Sequence, residues 1–135
     1  MAKYAYPAVF TPEENGLYSV NFPDVPSCYT DGEGIADALE MANDVLCLRL
    51  YDIEESGEAI PAPSAIKDVK TDESKGEFVT LVACDTVEYR KFYDNKAVKK
   101  TLTIPNWLNT IAERSNVNFS QVLQEALTEK LGLNQ

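Results

Sequence analysis

The chain has 135 residues, 44% hydrophobic and 25% charged, with a formal net charge of −10 and no histidine. Such values describe a globular protein of one domain or two small ones, and the missing histidine removes the commonest general base and every Ser-His or Cys-His nucleophile. No apolar run approaches the roughly 18 residues of a membrane span. The opening "MAKYAYPAVF" lacks an apolar block with a cleavage site, so the chain reads as cytoplasmic, with no membrane partner.

The acidity is uneven. Residues 1–95 hold 7 Lys/Arg and 19 Asp/Glu, a net −12, whereas residues 96–135 hold 5 and 3, a net +2. That asymmetry predicts two parts with different partners, divided as 1–94 and 95–135. Cys28, Cys47 and Cys84 are widely spaced and odd in number, which fits reduced packing thiols. Without histidine they make no zinc set, and neither metal nor cofactor is implied.

In chain order, "KYAYPAVF" and "LYSVNF" alternate with period 2 and predict two strands. Asn15-Gly16 between them predicts a hairpin, because both residues tolerate positive φ. Pro23 and Pro26 then break the ladder, and Ser27–Tyr29 is expected to form a short third strand. Residues 35–55 predict a helix with Ile35, Leu39, Ala42, Leu46, Leu50 and Ile53 on one apolar stripe and Asp37, Glu40 and Asp44 on another face. Gly57 fits its C-terminal cap, and Gly34 is a weak N-cap. Residues 61–76 read as an extended loop. The β-branched "EFVTLVACD" suits an interior strand. Residues 86–95 read as a short helical or irregular tail. The front part is thus β-β-β-α-β, a small sheet with one helix across a face and with open edges where a partner could dock.

The tail "KKTLTIPNWLNTIAERSNVNFSQVLQEAL" combines a strand pattern with two amphipathic helices, near 106–115 and from 119 on. Lys99, Thr101 and Thr103 share one strand face, and Leu102 and Ile104 the other. Pro105 ends the strand and favours a helix start. Leu108, Ile111 and Ala112 in the first helix, and Phe119, Val122, Leu123, Ala126, Leu127 and Leu131 in the second, recur at helical spacing. About forty residues rarely bury enough apolar surface to fold alone. The expected solution is a homodimer through residues 98–131, with higher oligomers open. Two copies of 98–104 pair antiparallel and offer a two-stranded ribbon to the DNA major groove. Lys99, Thr101 and Thr103 then face the bases. The start of the second helix, at Asn118 and Ser120, suits a phosphate.

Residues 98–132 resemble a ribbon-helix-helix DNA-binding domain, on "KKTLTIP", the helix after Pro105 and "NFSQVLQEAL". Departures are Lys100 at an inward ribbon position and Asn116 where glycine is common. Residues 3–66 resemble the HicB family of bacterial antitoxins. The matching residues are "YPAVF", "GLYSVNFPDVPSCYTDGEG", "DALEMANDVL" and "AIPAPS", and "FPDVPSCYTDG" is the most telling. Glu33-Gly34 replaces the Asp, Ser or Thr usual at the helix start.

The resemblance implies an α+β fold with a partial ribonuclease-H-like front domain. It also implies a type II antitoxin that silences HicA, a small basic mRNA-cleaving toxin, and represses its own operon through operator DNA. An acidic domain suits a basic partner. Ribonuclease H chemistry needs converging carboxylates, one on the first strand. Residues 3–10 have none, so the chain is read as no enzyme. Candidate toxin-binding residues are Asp24, Tyr29, Asp31, Asp37, Glu40 and Asp44, though solvated acids and a core tyrosine are the competing readings. The alternative function is a stand-alone ribbon-helix-helix regulator with an oligomerising or sensing front domain. A nuclease-derived enzyme would instead require metal-dependent RNA cleavage.

Overall fold

In the computed structural model, which describes residues 2–133, the alternating front segments form strands β1 (Lys3–Pro12) and β2 (Leu17–Asn21). The hairpin between them uses the left-handed region as expected. Asn15 has φ 62° and Gly16 φ 76°, and Glu13 N–H donates to the Leu17 carbonyl at 2.7 Å. Tyr6, Ala8 and Phe10 of β1 meet Val20 and Phe22 in one buried cluster.

The third strand comes later than Ser27–Tyr29. Pro23 and Pro26 cannot donate to a ladder, and Ser27 turns the chain at φ 56°. Phe22 N–H closes the loop on the Cys28 carbonyl at 3.0 Å. Strand β3 therefore runs Tyr29–Glu33 and pairs with β2 from Asn21↔Tyr29 to Leu17↔Glu33.

Helix α1 (Ile35–Ser56) follows, ended by Gly57 at φ 76°. Its inward stripe is the expected one at Ala42, Leu46, Leu50 and Ile53 and departs from it only in the first turns. Ala38, Ala42, Leu46, Cys47, Leu50 and Ile53 are buried, whereas Ile35 and Leu39 are each 42% exposed. Gly32 is the reason: a Cβ there would lie 2.5 Å from Ala38 Cα and N. The helix backbone meets the strand so closely there that only small residues fit the crossing, and this contact turns Ala38 inward in the first turns.

Residues 61–76 contain two short 3-10 turns, Ile66–Asp68 and Glu73–Lys75. Tyr6 hydroxyl donates to the Pro61 carbonyl and anchors the start of this loop. Strand β4 (Phe78–Asp85) is an edge strand, not an interior one. The sheet order is β3-β2-β1-β4, all antiparallel, with β1 in the middle. Val82 and Cys84 point to the core, but Leu81 on the other face is exposed. An edge strand that carries leucine on its open face has the same apolar run as an interior one. The segment 86–95 begins as helix α2 (Thr86–Tyr93), capped by Asp85, whose carboxylate accepts from Val87 N–H at 3.0 Å and Glu88 N–H at 3.3 Å.

The chain divides into two compact units, one up to Lys96 and one from Ala97 on. The rear unit holds α3 (Asn106–Arg114) and α4 (Phe119–Lys130). Asn116 takes φ 56° in the turn between them, a conformation its short polar side chain tolerates. Asn118 caps α4 by accepting from Gln121 N–H at 3.1 Å. Residues 94–105 form neither helix nor strand in the single chain. The strand expected at 98–104 has no second copy to pair with here.

Candidate functional site

The front unit's sheet has two unlike faces. Even-numbered positions of β1 and β2 face α1 and the core. The odd-numbered ones, with Tyr29 and Asp31 of β3, face outward. Part of the outer face is crossed by the loop after α1: Ser64, Asp68 and Val69 wall a groove together with Val9, Thr11 and Asn21. Beside it, the β2–β3 half stays open as a groove of about 390 Å³ lined by Thr11, Ser19, Asn21, Tyr29, Thr30 and Asp31. Tyr29 is 69% exposed, so it is no core tyrosine. Asp31 is exposed and sits opposite Ser19.

The other sequence-derived acids lie elsewhere. Asp24 is half-buried, and its carboxylate accepts from Ser64 N–H at 2.8 Å and Ser64 hydroxyl at 2.6 Å. It latches the long loop. Asp37, Glu40 and Asp44 share the exposed face of α1. Asp37 accepts from Glu33 N–H at 2.8 Å and ties the first turn of the helix to the end of β3. No Lys or Arg occurs in α1 before Arg49, so these carboxylates repel one another at helical spacing, a cost of a few tenths of a kcal/mol per pair.

One polar cluster escaped the sequence reading. Glu54 sits in the last turns of α1 beside Ile53, with its side chain 6% exposed. It accepts from Tyr4 hydroxyl at 2.8 Å, Thr86 hydroxyl at 2.8 Å and Arg90 Nη2 at 3.0 Å. Burial pushes the Glu54 carboxyl up, but donors that include Thr86, Tyr4 and Arg90 outweigh it and hold the pKa at about 2. Arg90 also pairs with Glu55 and lies 4.6 Å from the Tyr51 ring centre. The cluster ties β1, α1 and α2 together. Its only sequence trace is a glutamate next to the apolar stripe. Cys28, Cys47 and Cys84 are free and buried, and burial pushes the Cys28 thiol up to about 11. Among the described residues no group of three or more His, Cys, Asp or Glu could hold a metal, and no helix is long and apolar enough to cross a membrane.

In the rear unit, Lys99, Thr101 and Thr103 are exposed on the segment before α3. Asn118 is committed to capping α4, and Ser120 is exposed in that helix's first turn. No residue of α3 or α4 is buried. Leu102, Ile104, Leu108, Ile111, Phe119, Val122 and Leu127 are all exposed, and Trp107 is 66% exposed. Ala112 and Leu123 are half-buried.

A family model described as the HicB-like antitoxin of bacterial toxin-antitoxin systems matches residues 6–127. Antitoxin HicB of Escherichia coli K12 is 41% identical over 61 residues, 45% of this chain and 44% of that protein, so the chain matches under half the length of this curated relative. A chain in a toxin-antitoxin complex from Streptococcus pneumoniae is 32% identical, with a TM-score of 0.60 over 95% of this chain and 99% of that one. The crystal structure of antitoxin HicB from Burkholderia pseudomallei aligns over 100% of both chains with a TM-score of 0.53 and 22% identity, a likeness of fold.

Proposed function

The chain belongs to the HicB-like antitoxin family, regulatory proteins rather than enzymes, and from that premise we propose that it joins two activities. The front unit binds and neutralises a small basic mRNA-cleaving toxin of the HicA type. The rear unit dimerises as a ribbon-helix-helix and represses the chain's own operon. The observation that carries this reading is that one family match runs from residue 6 to residue 127, across both units.

The physical features agree with it. A front part of net −12 attracts a basic RNA-binding surface and competes with RNA for it. A partial ribonuclease-H-like topology for that unit is part of the proposal, supported by the order β3-β2-β1-β4. The rear unit's exposed Leu102, Ile104, Ile111 and Leu127 need a partner to leave water. A second copy supplies it by pairing residues 98–104 and interlocking the helices, which leaves Lys99, Thr101 and Thr103 on the outer face of the ribbon. The first turn of α4, with Asn118 and Ser120, then lies ready for a backbone phosphate.

The test is co-purification with the protein of the adjacent reading frame, followed by an RNA-cleavage assay. The toxin should be silent in the complex. Lys99→Ala with Thr101→Ala should weaken operator binding by about 1–3 kcal/mol per lost base contact, while toxin neutralisation persists. Loss of toxin control with operator binding intact would reverse the assignment of the two units. Absence of a basic partner, with operator binding retained, would favour the stand-alone regulator.

A further inference from the structure

Resting on the toxin-binding reading above, we propose that the toxin docks in the open groove of the β2–β3 half of the sheet, not on the acidic face of α1. A lysine or arginine of the toxin lies there between the Tyr29 ring and the Asp31 carboxylate.

The two faces differ in what they offer a basic partner. On the α1 face one of the three carboxylates, Asp37, already accepts from Glu33 N–H, and the exposed Glu40 and Asp44 can form only solvated pairs, worth about 0–1 kcal/mol each. The sheet face carries a groove of about 390 Å³ with no Lys or Arg in its lining. Tyr29 projects there at 69% exposure, and tyrosine is a preferred interface anchor because it buries much area at little entropic cost. Tyr29 and Asp31 stand two residues apart on one side of β3, about 7 Å along the strand. A basic side chain spans that gap with its stem on the ring and its head at the carboxylate. Ser19 and Asn21 supply hydroxyl and amide groups on the floor. Carboxylates continue around the rim. Glu33 follows on the same strand, and Glu13 accepts from Ser19 hydroxyl at 3.1 Å. Strand β3 is also a sheet edge, and an edge leaves backbone groups free for a neighbouring chain.

The experiment titrates the small basic protein of the adjacent reading frame into the full-length chain by calorimetry at low salt. Tyr29→Ala with Asp31→Asn should weaken binding by at least about 30-fold, as loss of an interface anchor does. Ser19→Arg, which sets a cation on the groove floor, should weaken it by at least about tenfold through like-charge repulsion. Asp37→Asn, Glu40→Gln and Asp44→Asn together should change it by less than about threefold. Unchanged melting of the front unit shows that each variant is folded. Binding that survives both groove variants, or that is lost in the helix variant, overturns the placement alone. A wild-type chain that does not bind the basic protein overturns the toxin-binding reading and the placement together.

Discussion

The front and rear units spend similar side chains in opposite ways. In the front unit Tyr6, Phe10, Val20, Phe22, Leu46 and Leu50 are removed from water by their own chain. In the rear unit Leu102, Ile104, Ile111, Phe119 and Leu127 remain exposed, and no residue of either helix is buried. A sheet crossed by a 22-residue helix encloses a core. Two helices of 9 and 12 residues joined by a tight turn cannot do so. The lesson is thermodynamic: stability of the first unit belongs to one chain, while on the proposed dimer that of the second would depend on protein concentration.

The largest effect should come from breaking that dependence. Ile111→Asp places a carboxylate in the proposed dimer core, where an unpaired charge is strongly disfavoured. Sedimentation should show the chain as a monomer, and operator affinity should fall by more than about 100-fold. The front unit should still bind the basic toxin within about twofold, because the substituted residue belongs to the other compact unit. A variant that stays dimeric would erase the contrast between the units.

The same contrast explains how much was legible in the sequence. Local rules sufficed for the Asn15-Gly16 turn, the first two strands, the extent of α1, the Gly57 stop and the Asn118 cap, because each is fixed by residues a few positions apart. Features set by distant residues were read wrongly or missed. Gly32 against Ala38 turns Ala38 inward where Ile35 and Leu39 are expected, Ser27 delays β3, and the edge position of β4 depends on its pairing with β1. Glu54 draws its donors from Tyr4, Thr86 and Arg90, none of them near it in sequence. Of the candidate toxin-binding residues, exposure separates Tyr29 and Asp31 from the latched Asp24. Periodicity carries no information about which side chains meet across a fold.

Glu54 gives the next effect, confined to the front unit. Its folded pKa of about 2 lies below the ordinary carboxylate value. The depressed value means that its ionised form stabilises the fold fully above about pH 4.5, and that this contribution is lost as the pH falls towards 2. Glu54→Gln should cost about 3 kcal/mol at pH 7, as an upper figure. The gap between wild type and variant, read from urea midpoints of the front-unit transition, should narrow steadily from pH 4.5 to pH 2. A gap that stays constant over that range would show that the carboxylate's charge is not what holds β1, α1 and α2 together.

The smallest effect is the most discriminating, since the same chemistry occurs once in each unit. Asp85 caps α2 and Asn118 caps α4, each by accepting backbone N–H groups of the first turn. Replacing either by alanine should cost about 1 kcal/mol of local helix stability. The readout separates them. Asp85→Ala should lower a front-unit melting temperature that is independent of concentration. Asn118→Ala should lower a transition whose midpoint itself moves with concentration, because the proposed dimer is what would hold α4. Operator binding should weaken in the second variant alone. Two caps of equal strength then report on two kinds of stability, one internal to a chain and one shared between copies.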